Sequence, residues 1–261
     1  EPLVRKDAAD IIMRLSKLPV NLTITTNGTR LHEFADLLKE AGVHSLNISL
    51  DTLNREKFNL MTRRDQFERV YENIHLMMNR GFHVKVNMVV IKNLNHQEII
   101  DFIKWTKDEP VHVRFIEFMP FDGNKWDKEK MVSYAQVMEH VNSNYDESKV
   151  IRIQDAPNDT SKNYKIEGYK GSFAIISSVT NPFCDSCNRI RLTANGRLKN
   201  CLFSSAESDL LTPLREGKSI EPLIQNAILS KFKIRGGMDT MEKLEQPDLH
   251  SNNRSMIAIG G

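Results

Sequence analysis

The chain has 261 residues, 40% hydrophobic and 27% charged, which excludes a disordered chain and leaves room for one large or two small domains with a full apolar core. Its 36 basic and 34 acidic side chains give a net charge of +2, too slight for a bulk-charge argument for nucleic acid. No stretch approaches the roughly 20 apolar residues of a membrane helix, and no basic-then-apolar signal segment opens the chain.

In chain order, Asp7 to Leu18 reads as an amphipathic helix with Ala8, Ile11, Ile12 and Leu15 on one face. Asn21 to Thr25 is a short β-rich run, broken by Thr26-Asn27-Gly28. Leu31 to Ala41 is helical and closed by Gly42; His44 to Leu50 is a second strand. Gln66 to Arg80 is a longer helix closed by Gly81, and His83 to Ile91 a third strand. Asn95 reads as the N-cap of a helix to about Lys107, and Val111 to Met119 as a fourth strand. Strands alternating with helices of this length imply right-handed βαβ units and a parallel sheet. The Val, Ile, Leu, Met and Phe content fits a sheet covered on both faces, with a barrel preferred over an open doubly wound sheet.

The pattern changes after Ser133 to Asn144, which is one more helix. Val150 to Thr180 reads as short strands with turns. Asn188–Ala194 and Arg197–Phe203 form a hairpin around Asn195-Gly196. Helices follow near Asp209–Glu216 and Glu221–Lys233, and the polar tail ends in Gly260-Gly261. A soft domain boundary falls near residue 147. The chain opens on a loop and a helix with no strand before them, whereas a barrel wants one or two further βα units there.

All three cysteines lie within one span, Cys184-Asp185-Ser186-Cys187 and then Cys201, a C-x2-C-x13-C spacing. Three cysteines make no disulfide scaffold, and a reducing, cytoplasmic compartment is the simpler reading. A pair at i and i+3 fits one turn around a metal centre, and the hairpin returns the third thiolate to it. Three readings stay open. The cysteines are reduced and merely packed. Or they bind zinc, with His96-Gln97-Glu98 supplying half of a deaminase signature although Pro182 is not adjacent to Cys184. Or they hold a [4Fe–4S] cluster with one open iron, a Lewis acid for a substrate nitrogen or oxygen.

Arg189 and Arg191 follow Cys187 at spacing two, sharing one face if the segment is a strand, and make a fork for phosphate oxygens. Solvated surface arginines are the plainer alternative. Lys85 and Arg114 stand inside apolar strands, where a charge needs a partner such as Glu117 or a wet cavity for an anion. Four cations together suit a triphosphate. Thr25 and Ser49 lie at the carboxyl ends of the first two strands, where parallel α/β folds place ligands, though either hydroxyl also serves as a turn residue. Met119 ends the fourth strand, with core packing as its simplest role. Gly260-Gly261 reads as a frayed terminus or as a slim tail that threads into a crowded pocket.

Taken together these segments resemble the molybdenum cofactor biosynthesis protein A family of radical S-adenosylmethionine (SAM) enzymes. The resemblance runs through Glu1-Pro2-Leu3, the end of the family's Gly-Gly-Glu-Pro-Leu motif, Thr25-Thr26-Asn27-Gly28, Asn47-Ile48-Ser49-Leu50-Asp51, Val84-Lys85-Val86-Asn87 and Arg114 through Met119. It continues in Phe183-Cys184 through Phe203 and in Gly260-Gly261. It implies an α/β fold: a partial (β/α)6 TIM-like radical SAM barrel over residues 1–147, missing its first units. Residues 148–261 would be an α+β extension carrying an iron–sulfur cluster. The implied activity is GTP 3′,8-cyclisation, the first step of molybdenum cofactor biosynthesis. A first [4Fe–4S] cluster cleaves SAM, the 5′-deoxyadenosyl radical takes hydrogen from C3′ of GTP, and C3′ bonds to C8. The product is (8S)-3′,8-cyclo-7,8-dihydroguanosine 5′-triphosphate.

Carried over by residue, Cys184, Cys187 and Cys201 would ligate the second [4Fe–4S] cluster, whose open iron binds guanine. Thr25, Lys85, Arg114, Arg189, Ile190 and Arg191 would contact GTP; Ser49 and Met119 would contact SAM. Arg189, Arg191, Gly260 and Gly261 would serve catalysis. The resemblance further implies a homodimer and a downstream cyclic pyranopterin monophosphate synthase as partner, with neither nucleic acid nor membrane involved. No cysteine precedes Cys184, so the family's C-x3-C-x2-C motif for the first cluster is absent. The chain as given is therefore expected to be a fragment unable to cleave SAM. The competing functions are an iron–sulfur nucleotide-binding module without chemistry, and a zinc-dependent deaminase or hydrolase.

Overall fold

In the strand segments 45–49, 83–90 and 112–117 of the first unit, buried and partly buried or exposed side chains alternate with a period of two. The computed structural model describes residues 1–246, 249 and 253–256. Four strands, β1 (Thr23–Thr26), β2 (Ser45–Ser49), β3 (His83–Val90) and β4 (His112–Glu117), lie parallel and in chain order. Three later strands, β5 (Val150–Arg152), β6 (Lys162–Ile166) and β7 (Ser172–Ile176), complete one seven-stranded sheet in the order β1-β2-β3-β4-β7-β6-β5. β7 runs parallel to β4; β6 and β5 are antiparallel to their neighbours.

Of the two faces expected to be covered, only one is lined by fully buried apolar side chains. Leu46, Ile48, Val84, Val86, Met88, Val90, Val113 and Phe115 are each at most 1% exposed, while their alternating neighbours in β2, β3 and β4 are polar or only partly buried. Burying each of these side chains is worth roughly 2 kcal/mol, so a one-residue slip that swapped the faces is strongly disfavoured. Register thus commits Lys85 and Arg114 to the polar face.

Helices cover the apolar face through i, i+3, i+4, i+7 stripes. These are α1 (Ala8–Leu15), α2 (Leu31–Glu40), α3 (Arg55–Thr62), α4 (Phe67–Asn79), α5 (Ile99–Trp105) and α6 (Tyr134–Asn142). Leu31, Ala35 and Leu38 of α2, Val70, Ile74 and Met77 of α4, and Ile99, Phe102 and Ile103 of α5 join one core. Ser133 and Gln136 cap α6 reciprocally. Helix α3 has no counterpart in the sequence reading, because its only buried residue is Phe58. Its readable signal is the cap: Asn54 Oδ1 accepts from Lys57 N at 2.9 Å. Asn95, expected to cap α5, does not. Its amide is instead held in the preceding loop, accepting from Ile91 N and donating to Asp51 O and Val89 O.

The chain divides into two compact units interleaved in sequence. The first comprises Glu1–Glu117, Val132–Asp155 and Ser161–Ile176; residue 147 falls between α6 and β5, both within it. The second holds Phe118–Met131, Ala156–Thr160 and the chain from Ser177. There β8 (Arg191–Leu192), β9 (Arg197–Lys199) and β10 (Ser208–Asp209) form a small antiparallel sheet. Helices α7 (Leu211–Arg215), α8 (Glu221–Leu229) and α9 (Met241–Leu244) follow. The expected Asn195-Gly196 hairpin is present, with much shorter strands. Gly196 turns with φ +74°, and a Cβ there would stand 2.5 Å from Leu211 Cβ, so only glycine fits.

Candidate functional site

The polar face of the first unit places the expected Thr25, Lys85 and Arg114 on one lattice. Register aligns Thr25, Asn47, Lys85 and His112 across β1 to β4, and Ser49, Asn87 and Arg114 in the next row. Glu117, offered from sequence as a partner for Arg114, is three residues away on the same strand and so points to the opposite face. It is buried there, where it accepts from Tyr134 N at 3.0 Å. Arg114 is held by neutral amides: Nε donates to Asn87 Oδ1 at 2.8 Å and Nη2 to Asn47 Oδ1 at 2.5 Å. Asn47 Nδ2 then donates to Thr25 Oγ1 at 3.3 Å. An amide oxygen orients a guanidinium without neutralising it. The face is electropositive: burial, then Lys85 and Arg114, hold His83 below the ordinary histidine value. Asn47, Asn87 and His83 were missed as site residues; the period-two patterns of SLNIS and HVKVNMVV were the signal that would have found them.

A cavity of about 240 Å³ opens beyond the carboxyl end of β2, lined by Asn27, Ser49, Asp51, Thr52, Met61 and Arg64 among others. Position at strand ends is where parallel sheets bind ligands. Glu1 secures its rim: the carboxylate accepts from Asn27 N at 2.6 Å, Thr26 Oγ1 at 2.7 Å and Leu3 N at 3.2 Å. Gly28, with φ +79°, makes the sharp turn after β1, where a Cβ would lie 2.9 Å from Ile48. Burial raises Asp51 to about 6, against the pull of Val89 N–H on Oδ1 at 2.8 Å. Glu98 anchors the neighbouring loop by accepting from Thr52 Oγ1, Leu53 N and Lys57 Nζ. His96 Nδ1 accepts from Asn93 N. The His-x-Glu pair is thus spent on loop structure, which removes its part in the zinc-deaminase reading.

In the second unit Cys184–Ser186 is a single 3-10 turn, with Cys187 N donating to Cys184 O at 3.1 Å. All three cysteines are free and partly buried. Cys184 Sγ accepts from Arg235 N at 3.4 Å and Cys187 Sγ from Lys231 Nζ at 3.3 Å. Burial pushes the Cys187 thiol up, yet hydrogen bonds from Arg189 N–H and Lys231 outweigh it and bring it below the ordinary value. Burial raises Cys201, which also feels the neighbouring Cys184. Donors aimed at sulfur fit thiolate ligands and have no purpose around a thiol packed only for bulk. Among the described residues no three His, Cys, Asp or Glu side chains close around one metal-ion position. Three soft thiol donors are ligand chemistry that suits an iron–sulfur cluster.

The arginines beside the cysteines do not share a strand face, since β8 begins only at Arg191. Arg189 is exposed, donates to Asn158 O at 2.6 Å and lies over the Phe183 ring at 5.8 Å. Ile190 is 49% exposed. Arg191 is half-buried, which lowers it from the usual arginine value. Opposite Arg191 in register stands Lys199, a buried cation that donates to Ser204 O and Asn253 Oδ1 near Glu207; it had no place in the sequence reading. Met119 lies beyond β4, not at its end, against the Met131, Val179, Phe203 and Met238 cluster. Gly260 and Gly261 lie outside the described residues.

Two family patterns divide the chain: the Radical SAM superfamily matches residues 1–106 and Molybdenum Cofactor Synthesis C matches 111–236. A GTP 3′,8-cyclase of Syntrophomonas wolfei is 38% identical over all of this chain and 79% of its own length. The chain belongs to the GTP 3′,8-cyclase family of the radical SAM superfamily. The mitochondrial GTP 3′,8-cyclase of Arabidopsis thaliana is 45% identical over 100% of this chain and 66% of its own, and human molybdenum cofactor biosynthesis protein 1 is 40% identical over 99% and 40%. The chain thus spans less than two thirds of several relatives in this family. A domain of a pyruvate-formate lyase-activating enzyme from Bacteroides vulgatus superposes at TM-score 0.45 with 15% identity, a likeness too slight to argue from. Among the described residues no helix is long and apolar enough to cross a membrane.

Proposed function

We propose that this chain supplies the substrate-binding part of a GTP 3′,8-cyclase, acting in the first step of molybdenum cofactor biosynthesis. The observation that carries the reading is the polar face: Lys85 and an amide-oriented Arg114 share one side of a parallel sheet with Thr25. On this reading the fold is a partial barrel whose interior is that face. In the first unit Lys85, Arg114 and Thr25 bind the GTP phosphates; in the second, Arg189, Arg191 and the Ile190 backbone are nucleotide contacts. Cys184, Cys187 and Cys201 hold a [4Fe–4S] cluster, the Ser49 cavity of the first unit receives SAM, and Met119 of the second is a SAM contact. Bound SAM and a reducing cluster, for which this chain has no cysteine before Cys184, would supply the one-electron chemistry. The protein's residues hold the nucleotide, keep its phosphates neutralised and exclude water around the sugar. The Gly260-Gly261 tail, homodimerisation, a downstream cyclic pyranopterin monophosphate synthase and a thiol-reducing compartment complete the proposal.

Two measurements test it on the full chain after anaerobic reconstitution. Metal analysis is expected to give about four irons per chain; stoichiometric zinc would overturn the cluster. GTP affinity is expected to fall about 10- to 100-fold in Arg114→Met, the loss of one charge-assisted contact worth about 1.5–3 kcal/mol. An unchanged affinity would overturn the phosphate role. GTP binding without turnover once the whole protein is supplied would favour a nucleotide-binding module over an enzyme.

A further inference from the structure

Helix α8 stops at Leu229, and in the chain that follows Lys231 meets Cys187, Arg235 meets Cys184 and Gly236 lies against Ser204, three residues after Cys201. The ammonium of Lys231 lies 3.3 Å from Cys187 Sγ, 3.2 Å from Cys187 O and 3.0 Å from Arg189 O. Three donor hydrogens meet three acceptors, which compensates a half-buried charge. Four residues on, Arg235 N donates to Cys184 Sγ at 3.4 Å. The Arg235 guanidinium is buried and fixed by Val179 O and Asp239 O, so that N–H has little freedom. Gly236, with φ +64°, packs on the Cys201 turn. A Cβ there would lie 2.7 Å from Ser204 N, and Ser204 N itself donates to Cys201 O at 3.3 Å.

We propose that residues 231–237 form the outer wall of the cysteine site, and that Lys231 is a positioning residue that tunes the reduction potential of the cluster held there. The inference rests on the cluster reading above. A cation donating to a ligating sulfur draws electron density from it and stabilises the reduced state, so it raises the potential. The same ammonium grips the carbonyls of Cys187 and Arg189. It therefore fixes the path from thiolate to arginine, and the cluster and the anion-binding side chain keep one geometry. A lysine serving only as a loop staple would need the two carbonyls and not the sulfur.

The test compares wild type with Lys231→Met, Lys231→Gln, Lys231→Arg and the exposed neighbour Lys233→Met, each as the full chain reconstituted anaerobically. Iron content, midpoint potential and the rate of cluster loss to a chelator are the readouts. In Lys231→Met the potential is expected to move negative and chelator loss to quicken several-fold; Lys231→Arg restores most of both, and Lys233→Met matches wild type. An unmoved potential in an iron-loaded Lys231→Met overturns the proposal. If Lys231→Met retains no iron, Lys231→Gln, which keeps a donor and drops the charge, decides in its place by the same criterion. Wild type that takes up no iron would instead overturn the cluster reading itself, a separate result.

Discussion

The two units fix their polar groups by different means. In the first, Thr25, Asn47, Lys85, Asn87 and Arg114 stand where the pleat of a parallel sheet puts them, and the apolar residues between them enforce the register. In the second, the thiols are set by a 3-10 turn, a short hairpin and single donors from the segment after α8. A site built on regular strands is held whether or not it is filled. A site built on turns draws its order from what it binds. The chain's two tryptophans allow each to be watched alone, since Trp105 belongs to the first unit and Trp126 to the second.

The largest expected effect is Glu98→Ala. It removes a buried carboxylate that accepts from Thr52, Leu53 N and Lys57, and leaves those donors without it. Breaking such a pair costs about 3 kcal/mol. The loss should appear in denaturant unfolding followed in a Trp126→Phe background, where Trp105 reports. In a Trp105→Phe background, with Trp126 reporting, the transition should stay in place. Equal shifts at both probes would break the comparison.

Next comes Asp51→Asn, about 2–3 kcal/mol and visible through pH. Burial raises the native carboxyl to about 6, while the unfolded value is near 3.9. Between these values the native state binds the extra proton. The contribution of Asp51 is therefore complete below about pH 4 and lost as pH rises through 6. Stability measured from pH 4 to 7 should decline more in wild type than in Asp51→Asn, where the slope from this group vanishes. Parallel curves would show that the carboxyl is not buried in the cavity wall. A ligand that presents a cation or hydroxyls to Asp51 should abolish the difference, which sharpens the link between cavity and function.

The strands, their order and the cations upon them were legible because period two and chain spacing are local signals. That only one face is apolar was less legible, because the Val, Ile, Leu, Met and Phe content of the strands fits cover on both faces, and only Lys85 and Asn87 interrupt the Val and Met of β3. Asn95 was misread for a related reason: its preference for caps is local, but its amide is claimed by Asp51 O across 44 residues of sequence. Lys231 left no trace at all, since its contact with Cys187 also spans 44 residues and no motif carries it.

Asn47→Leu should give the smallest effect and the finest test of the comparison. Asn47 accepts from Arg114 Nη2 and donates to Thr25 Oγ1, and it holds no ligand of its own in the proposed reading. Leucine keeps the branched shape, with somewhat greater bulk, and removes both hydrogen bonds. Losing one such bond costs about 1 kcal/mol, so GTP affinity should fall about fivefold. The strand register, set by Leu46 and Ile48 on the other face, should persist, and the Trp105 transition should move little. If the regular sheet alone aimed Arg114, the affinity would not change, and the contrast with the cysteine turn would be one of degree. A fivefold loss with folding intact would show that even on a strand the last few degrees of guanidinium orientation come from a side-chain amide. It would also make the two units alike in one respect: in each, a residue with no ligand of its own aims the one that binds.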